Sequence, residues 1–222
     1  YGNLPWAFMS LLYGAGGTLE NDMDDLTKDV WRKPMQKLKD AYDAGVVAPM
    51  DVDGEQAFGS GKAVFAQLGT WAQGNMSDTL GADKIAEANT LQYDADNPVN
   101  FFYQCNWMQL KDPHRSAAKS AAAADFVNYV YEHWMDWSEV GSISPAYRDL
   151  NNPEYQKLIQ HPLPTAKRNV TPSRPSNYLY GGYATAGWGT YNDIVYGNVG
   201  LEEGLKTLDL MAQGQIEIQE ES

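Results

Sequence analysis

Apolar side chains recur at helical spacing in several parts of the chain, and glycines follow most of these stretches. Spacings of i, i+4, i+7 and i+11 are typical of one buried helix face, and a glycine just beyond predicts the helix end. Two such faces are Trp31, Met35, Leu38 and Tyr42, followed by Gly45, and Leu201, Leu205, Leu208 and Ala212, followed by Gly214. Residues 4–17 and 116–137 also predict helices, the first ending at Gly16-Gly17 and the second with an apolar face. The pattern therefore predicts four main helices, with Pro34 either opening or kinking the second.

The segment 55–71, EQAFGSGKAVFAQLGTW, departs from this helical pattern. A helix end and a Gly-Ser-Gly-Lys break lead into the apolar run 63–68, which predicts a short strand buried on both faces. Trp71 follows, with Gly69 allowing close approach of the backbone. An aromatic just past such a strand lies where open α/β sheets bind ligands. Beyond it we predict a polar helix over 72–88, interrupted at Gly81, and a strand over 101–110.

Composition narrows the classes of partner. A formal net charge of -13 argues against nucleic acid, which requires clustered Lys and Arg. Cys105 is the single cysteine, and the three histidines have no metal-ligand spacing, so we expect neither an internal disulfide nor a metal or other cofactor. Seven Trp and fourteen Tyr are unusually many. Some of them are expected in the core and others as stacking surfaces for a ligand.

The segment around Trp71 resembles the F-x-x-G-K-A-A-M-x-x-x-G-x-W signature of family 1 extracellular solute-binding proteins. The matching residues are Phe58, Gly61, Lys62, Ala63, Gly69 and Trp71. Val64 and Phe65 stand where the family often has Ala and Met. Near the other end, Glu202-Glu203-Gly204-Leu205 stands where the family has E-E-A-L. Members of this family deliver sugars, mostly oligosaccharides, to ABC importers.

The resemblance implies an α/β fold of the periplasmic-binding-protein-like (type II) two-lobe kind. Residues 1–100 are expected to form part of the C-terminal lobe, 101–165 to cross the hinge and pack on the N-terminal lobe, and 166–222 to return. Only the later part of the family pattern is present, so most of the N-terminal lobe is expected to be absent. The implied location is extracytoplasmic, either periplasmic or as a cell-surface lipoprotein.

The resemblance also implies a ligand site built from aromatic residues. Trp71 is the expected chief stacking platform, with Trp6 and Trp188 as further walls and Tyr183 competing with Trp188 for its position. Tyr103, Asn106 and Trp107, in the predicted hinge segment, are candidates to face the cleft. For two of these residues a structural role stays open, because Trp6 could pack beneath its helix and Trp71 could belong to the core.

The resulting expectation is a monomeric receptor that binds an oligosaccharide without chemistry and delivers it to ABC transporter permease subunits. The rival interpretation is a glycoside hydrolase, which needs two carboxylates about 5 to 9.5 Å apart. Here the acids cluster in loops and on exposed helix faces, such as Asp22–Asp25 and Glu217–Glu221. A third interpretation is an interaction module, which would explain the helical stripes but not the pattern from Phe58 to Trp71.

Overall fold

The computed structural model describes residues 4–101, 109–141, 143, 146–165, 168–170 and 189–220. These residues are mostly helical and include a small two-stranded parallel sheet, as in an α/β or α-rich fold. The helices are α1 (Leu4–Gly14), α2 (Asp29–Asp43), α3 (Gly54–Gly59), α4 (Gln73–Leu80), α5 (Ala117–Glu132), α6 (Trp134–Ser138), α7 (described over 189–195) and α8 (Leu201–Glu220). The strands are β1 (Asn100–Phe101) and β2 (Asn169–Val170). No described helix is both long enough and apolar enough to cross a bilayer.

The chain divides into two compact units, each assembled from separated stretches of sequence. Unit 1 contains the described parts of Tyr1–Leu68, Asn89–Phe102 and Ala166–Ser222. Unit 2 contains Gly69–Ala88 and the described parts of Tyr103–Thr165. The lobe boundaries expected from the sequence stay a prediction.

The core of unit 1 forms where α1, α2, α7 and α8 meet. The ring of Phe8 stacks on Trp31 with centroids 5.4 Å apart, and Tyr191 of α7 packs against Phe8 at the same distance. The indole N–H of Trp31 donates to the carbonyl of Asp22 at 2.7 Å, so this buried polar group is satisfied. Met35 and Leu38 are buried beside it, which confirms the face predicted for α2.

The helix end predicted from the sequence is correct for α2 and wrong for α8. Gly45 has φ +72° directly after α2, and its N–H donates to the carbonyl of Tyr42 at 2.8 Å, as predicted for a glycine stop. The stop predicted at Gly214 is wrong, because α8 continues to Glu220. Ile216 packs against the core in that next turn, so tertiary contact holds the helix together beyond the glycine.

Pro34 was expected to open or kink α2. It lies buried inside the helix, which begins at Asp29, so Pro34 does not open it. A proline here lacks the N–H that would otherwise donate within the helix. Its burial lets the ring contribute to the core instead.

The strand predicted over 63–68 is wrong. These residues have no regular secondary structure, and Val64 and Phe65 are 83% and 90% exposed. A buried strand needs hydrogen-bonded neighbours and cover on both faces, and no described strand pairs with this segment. The apolar side chains of this run would gain from burial, but the described residues do not cover Val64 and Phe65.

The small parallel sheet occurs where the second strand was predicted to begin. Asn100 pairs with Asn169 and Phe101 with Val170. The backbone N–H of Phe101 also donates to the hydroxyl of Ser10 on α1 at 3.2 Å, which ties the sheet to unit 1. Of the predicted strand 101–110, residues 102–108 lie outside the described residues and 109–110 are not strand.

Two helices of unit 2 depart from their predicted extent or burial. The polar helix predicted over 72–88 breaks at Gly81, as expected, but residues 85–88 are not helical. The helix predicted over 116–137 starts at its cap Ser116, yet it divides at His133 into α5 and α6. No described residue of α5 is buried, and Phe126 and Tyr129 on the predicted apolar face are more than half exposed.

Candidate functional site

Trp71 lies in a short 3-10 turn, Thr70–Ala72, that leads directly into α4. The N–H of Ala72 donates to the carbonyl of Gly69 at 3.0 Å, and the N–H of Gln73 donates to the carbonyl of Thr70, so two hydrogen bonds fix the turn. Ala72 and Met76 are buried on the inner side. The turn therefore leaves Trp71 on the outer side.

The indole of Trp71 is 71% exposed and lies against the backbone of Gly69. A Cβ atom at position 69 would stand 1.9 Å from Cζ3 of the indole and 2.2 Å from Cε3, so a side chain there would collide with the ring. The ring thus lies directly against the glycine backbone, while most of the Trp71 residue faces solvent. This exposure excludes a core role for the side chain of Trp71.

The other predicted site residues cannot be placed around Trp71. The backbone of Trp6 belongs to α1, and its side chain is outside the described part of the chain. The remaining candidates, all outside the described residues, are Tyr103, Asn106, Trp107, Tyr183 and Trp188. They stay predictions.

Sequence reasoning missed Glu87, whose environment is unusual for a carboxylate. Its Oε2 atom is buried without a hydrogen-bond partner. Burial raises the pKa of Glu87 from the ordinary 4.5 to about 7. No motif surrounds Glu87, and its segment was predicted as a helix, so the sequence carried no signal for this acid. The carboxyl can hold a proton near neutral pH.

A shallow groove on unit 1, with a volume of about 590 Å³, contains none of the predicted site residues. It is lined by Lys33, Gln36, Lys37, Asp40, Tyr93, Asp94 and Ala95. The ammonium of Lys37 lies 5.0 Å from the centre of the Tyr93 ring and donates to the carbonyl of the same residue. Gln36 donates to Asp40 at 2.6 Å. Lys37 and Gln36 thus already have partners within the groove. We therefore assign the candidate site to the exposed indole of Trp71 instead.

Metal binding has no candidate among the described residues, where no cluster of three His, Cys, Asp or Glu could hold an ion. Trp71 offers an exposed aromatic surface that lies against Gly69. Comparison with known proteins finds no family model, curated protein or solved structure that matches this chain.

Proposed function

We propose that this chain is a sugar-binding receptor of an ABC importer, with the two-lobed periplasmic-binding-protein fold. The observation that carries the proposal is the exposed indole of Trp71, supported from beneath by Gly69. The segment from Phe58 to Trp71, which resembles the family signature, supports the same assignment. The ligand is a carbohydrate, and more specifically an oligosaccharide.

An exposed tryptophan that packs on a glycine is suited to the apolar face of a sugar ring. Removing apolar surface from water stabilises a complex by about 25 cal/mol per Å², and an indole offers a large flat area with little side-chain freedom to lose. The CH face of a pyranose lies on such a ring, while amide, carboxylate and backbone groups bind its hydroxyls. Trp71 supplies the first of these two components.

The remaining components of the proposed cleft are the predicted residues outside the described part of the chain. Trp6, Tyr183 and Trp188 would add aromatic walls. Tyr103, Asn106 and Trp107 would face the ligand from the hinge segment. In the proposed mechanism sugar binds a closed state more tightly, shifts the equilibrium toward it, and the permease recognises that state.

The alternative is a glycoside hydrolase, and Glu87 is the observation that favours it. A carboxyl whose pKa is raised toward neutrality by burial has the property of a general acid. Hydrolysis requires a second carboxylate about 5 to 9.5 Å away. Burial is the cause of the raised pKa of Glu87. The segment from Phe58 to Trp71 favours binding without hydrolysis.

The proposal is tested by titrating the intrinsic tryptophan fluorescence of the chain with glucan, xylan and mannan oligosaccharides. Trp71→Ala should weaken binding of the best sugar by about thirtyfold, since an aromatic anchor contributes about 2 kcal/mol. Its melting temperature should stay near that of the wild type, because the side chain is exposed. The matched control is Trp137→Ala, which removes another half-exposed tryptophan of unit 2 and should leave affinity unchanged.

The outcomes separate the three interpretations. Saturable quenching without product supports the receptor, and release of shorter sugars in a product assay would establish the hydrolase. An absence of response to every sugar would favour an interaction module. Normal affinity in Trp71→Ala would remove Trp71 from the site.

A further inference from the structure

Gly141, at the end of α6, packs directly against the turn that carries Trp71. It is buried, and its φ of +108° is one that residues with a side chain rarely adopt. A Cβ atom at this position would stand 2.6 Å from the carbonyl oxygen of Thr70 and 3.1 Å from Cβ of Gln73. The first of these is a backbone atom, which cannot swing aside as the end of a side chain can. Any residue other than glycine therefore requires a shift of the Thr70 carbonyl or of the backbone at residue 141.

The Thr70 carbonyl is one of the two groups that close this turn. It accepts the N–H of Gln73, and Trp71 is the first of the two residues between these partners. A shift of this oxygen loosens the hydrogen bond and rotates the turn, which changes the direction of the indole. Gly141 itself is held in place because its N–H donates to the carbonyl of Ser138 at 3.1 Å, and Ser138 is fully buried.

We propose that Gly141 is a positioning residue for the aromatic platform, setting the orientation of the Trp71 indole through the Thr70 carbonyl. The expected effect of Gly141 on sugar binding rests on the proposed function, whereas its effect on the orientation of the indole does not. The orientation of the indole is a property of unit 2 alone, and it is measurable without a ligand.

The test combines Gly141→Ala with a control that has the same backbone strain. Gly81, at the other end of α4, has φ +96°, and a Cβ there would stand 2.8 Å from a carboxylate oxygen of Asp83 and in ordinary van der Waals contact with the Lys84 side chain, 3.9 Å away. That carboxylate can rotate away, so Gly81→Ala carries the strain of a positive φ without displacing the turn. The readout is the set of indole N–H signals in ¹H–¹⁵N spectra of the full chain, with Trp71 assigned by its loss in Trp71→Phe.

The expected result is a shift of the Trp71 indole signal in Gly141→Ala and none in Gly81→Ala. Sugar affinity should fall in Gly141→Ala toward the level of Trp71→Ala, with little further loss in the double variant. An unmoved Trp71 signal in folded Gly141→Ala overturns the proposal. If no sugar binds the wild type, the proposed function fails. The Trp71 indole signal then shows by itself whether Gly141 sets the orientation of the ring.

A second measurement covers the case in which Gly141→Ala does not fold. In the wild type, the α protons of Gly141 should show nuclear Overhauser effects to the side chain of Gln73. If those effects are absent, the contact does not exist in solution and Gly141 has no positioning role.

Discussion

At the scale of single residues, Glu87 makes the stability of the chain depend on pH near neutrality. Its pKa is raised by burial from 4.5 to about 7, so the folded state binds a proton that the unfolded state releases between these values. Stability contributed by this group is therefore fully present below about pH 4.5 and is lost as pH rises through about 7. We expect Glu87→Gln to raise the melting temperature at pH 8 and to leave it nearly unchanged at pH 4.5, as followed by circular dichroism.

An exposed acid of the same unit provides the control for this prediction. Glu139→Gln replaces a solvent-exposed carboxylate and should give a melting temperature difference that is small and similar at both pH values. Equal effects of the two substitutions at pH 8 would contradict a buried, proton-holding Glu87.

The residues of the candidate site differ in how far the sequence could identify them. Trp71 was predicted from a local pattern, because the signature and the glycine two positions before it are adjacent in sequence. The close approach of the ring to Gly69 was predicted from the same short segment. Glu87 and Gly141 were not identified, because burial of a carboxyl and contact with Thr70 both depend on residues that meet only in the fold.

At the scale of elements, two glycines of α8 should respond in opposite ways to the same substitution. A Cβ at Gly204 would stand 2.2 Å from Cγ1 of Ile194, a fully buried residue of α7, whereas Gly214 has open space around it. We expect Gly214→Ala to raise the free energy of unfolding by up to about 1 kcal/mol through helix propensity. Gly204→Ala should lower it by about 1 to 3 kcal/mol through overpacking.

Urea denaturation of the two variants beside the wild type measures this difference. Stabilisation by Gly204→Ala would show that α7 and α8 do not pack as closely as described.

The spacing of apolar residues predicted the positions of the helices well, but it predicted less well which helix faces are buried. The faces of α2 and α8 are buried as their spacing indicated, since both helices have partners within unit 1. The apolar face of α5 and the run 63–68 follow equally clear patterns but contain no buried residue. A hydrophobic pattern indicates which side of an element would gain from burial, and the surface that covers it must come from elsewhere in the fold.

At the scale of the whole molecule, the two units should differ in local stability. Unit 1 holds a continuous aromatic and aliphatic core, whereas α5 of unit 2 buries no described residue. Opening a segment with few buried apolar contacts costs little free energy. We expect backbone amides of α5 to exchange with deuterium far faster than those of α2, as measured by native-state exchange with mass spectrometry.

Comparable protection in the two helices would contradict this expectation and would indicate that α5 is covered in solution. The comparison is well matched, because α5 and α2 have similar lengths of 16 and 15 residues. Differences in exchange therefore reflect packing rather than helix length.

The discontinuous construction of unit 1 also has a consequence for the order in which the chain folds. The core around Phe8 and Trp31 is completed by Leu205 and Leu208 of α8, the last described helix. During synthesis on a ribosome Leu205 and Leu208 emerge long after Phe8 and Trp31, so the apolar faces of α1 and α2 stay uncovered in that interval. Closing so long a loop is slow. Unit 1 therefore completes its core only when α8 joins it, and until then chaperones and proteases can reach the apolar faces of α1 and α2.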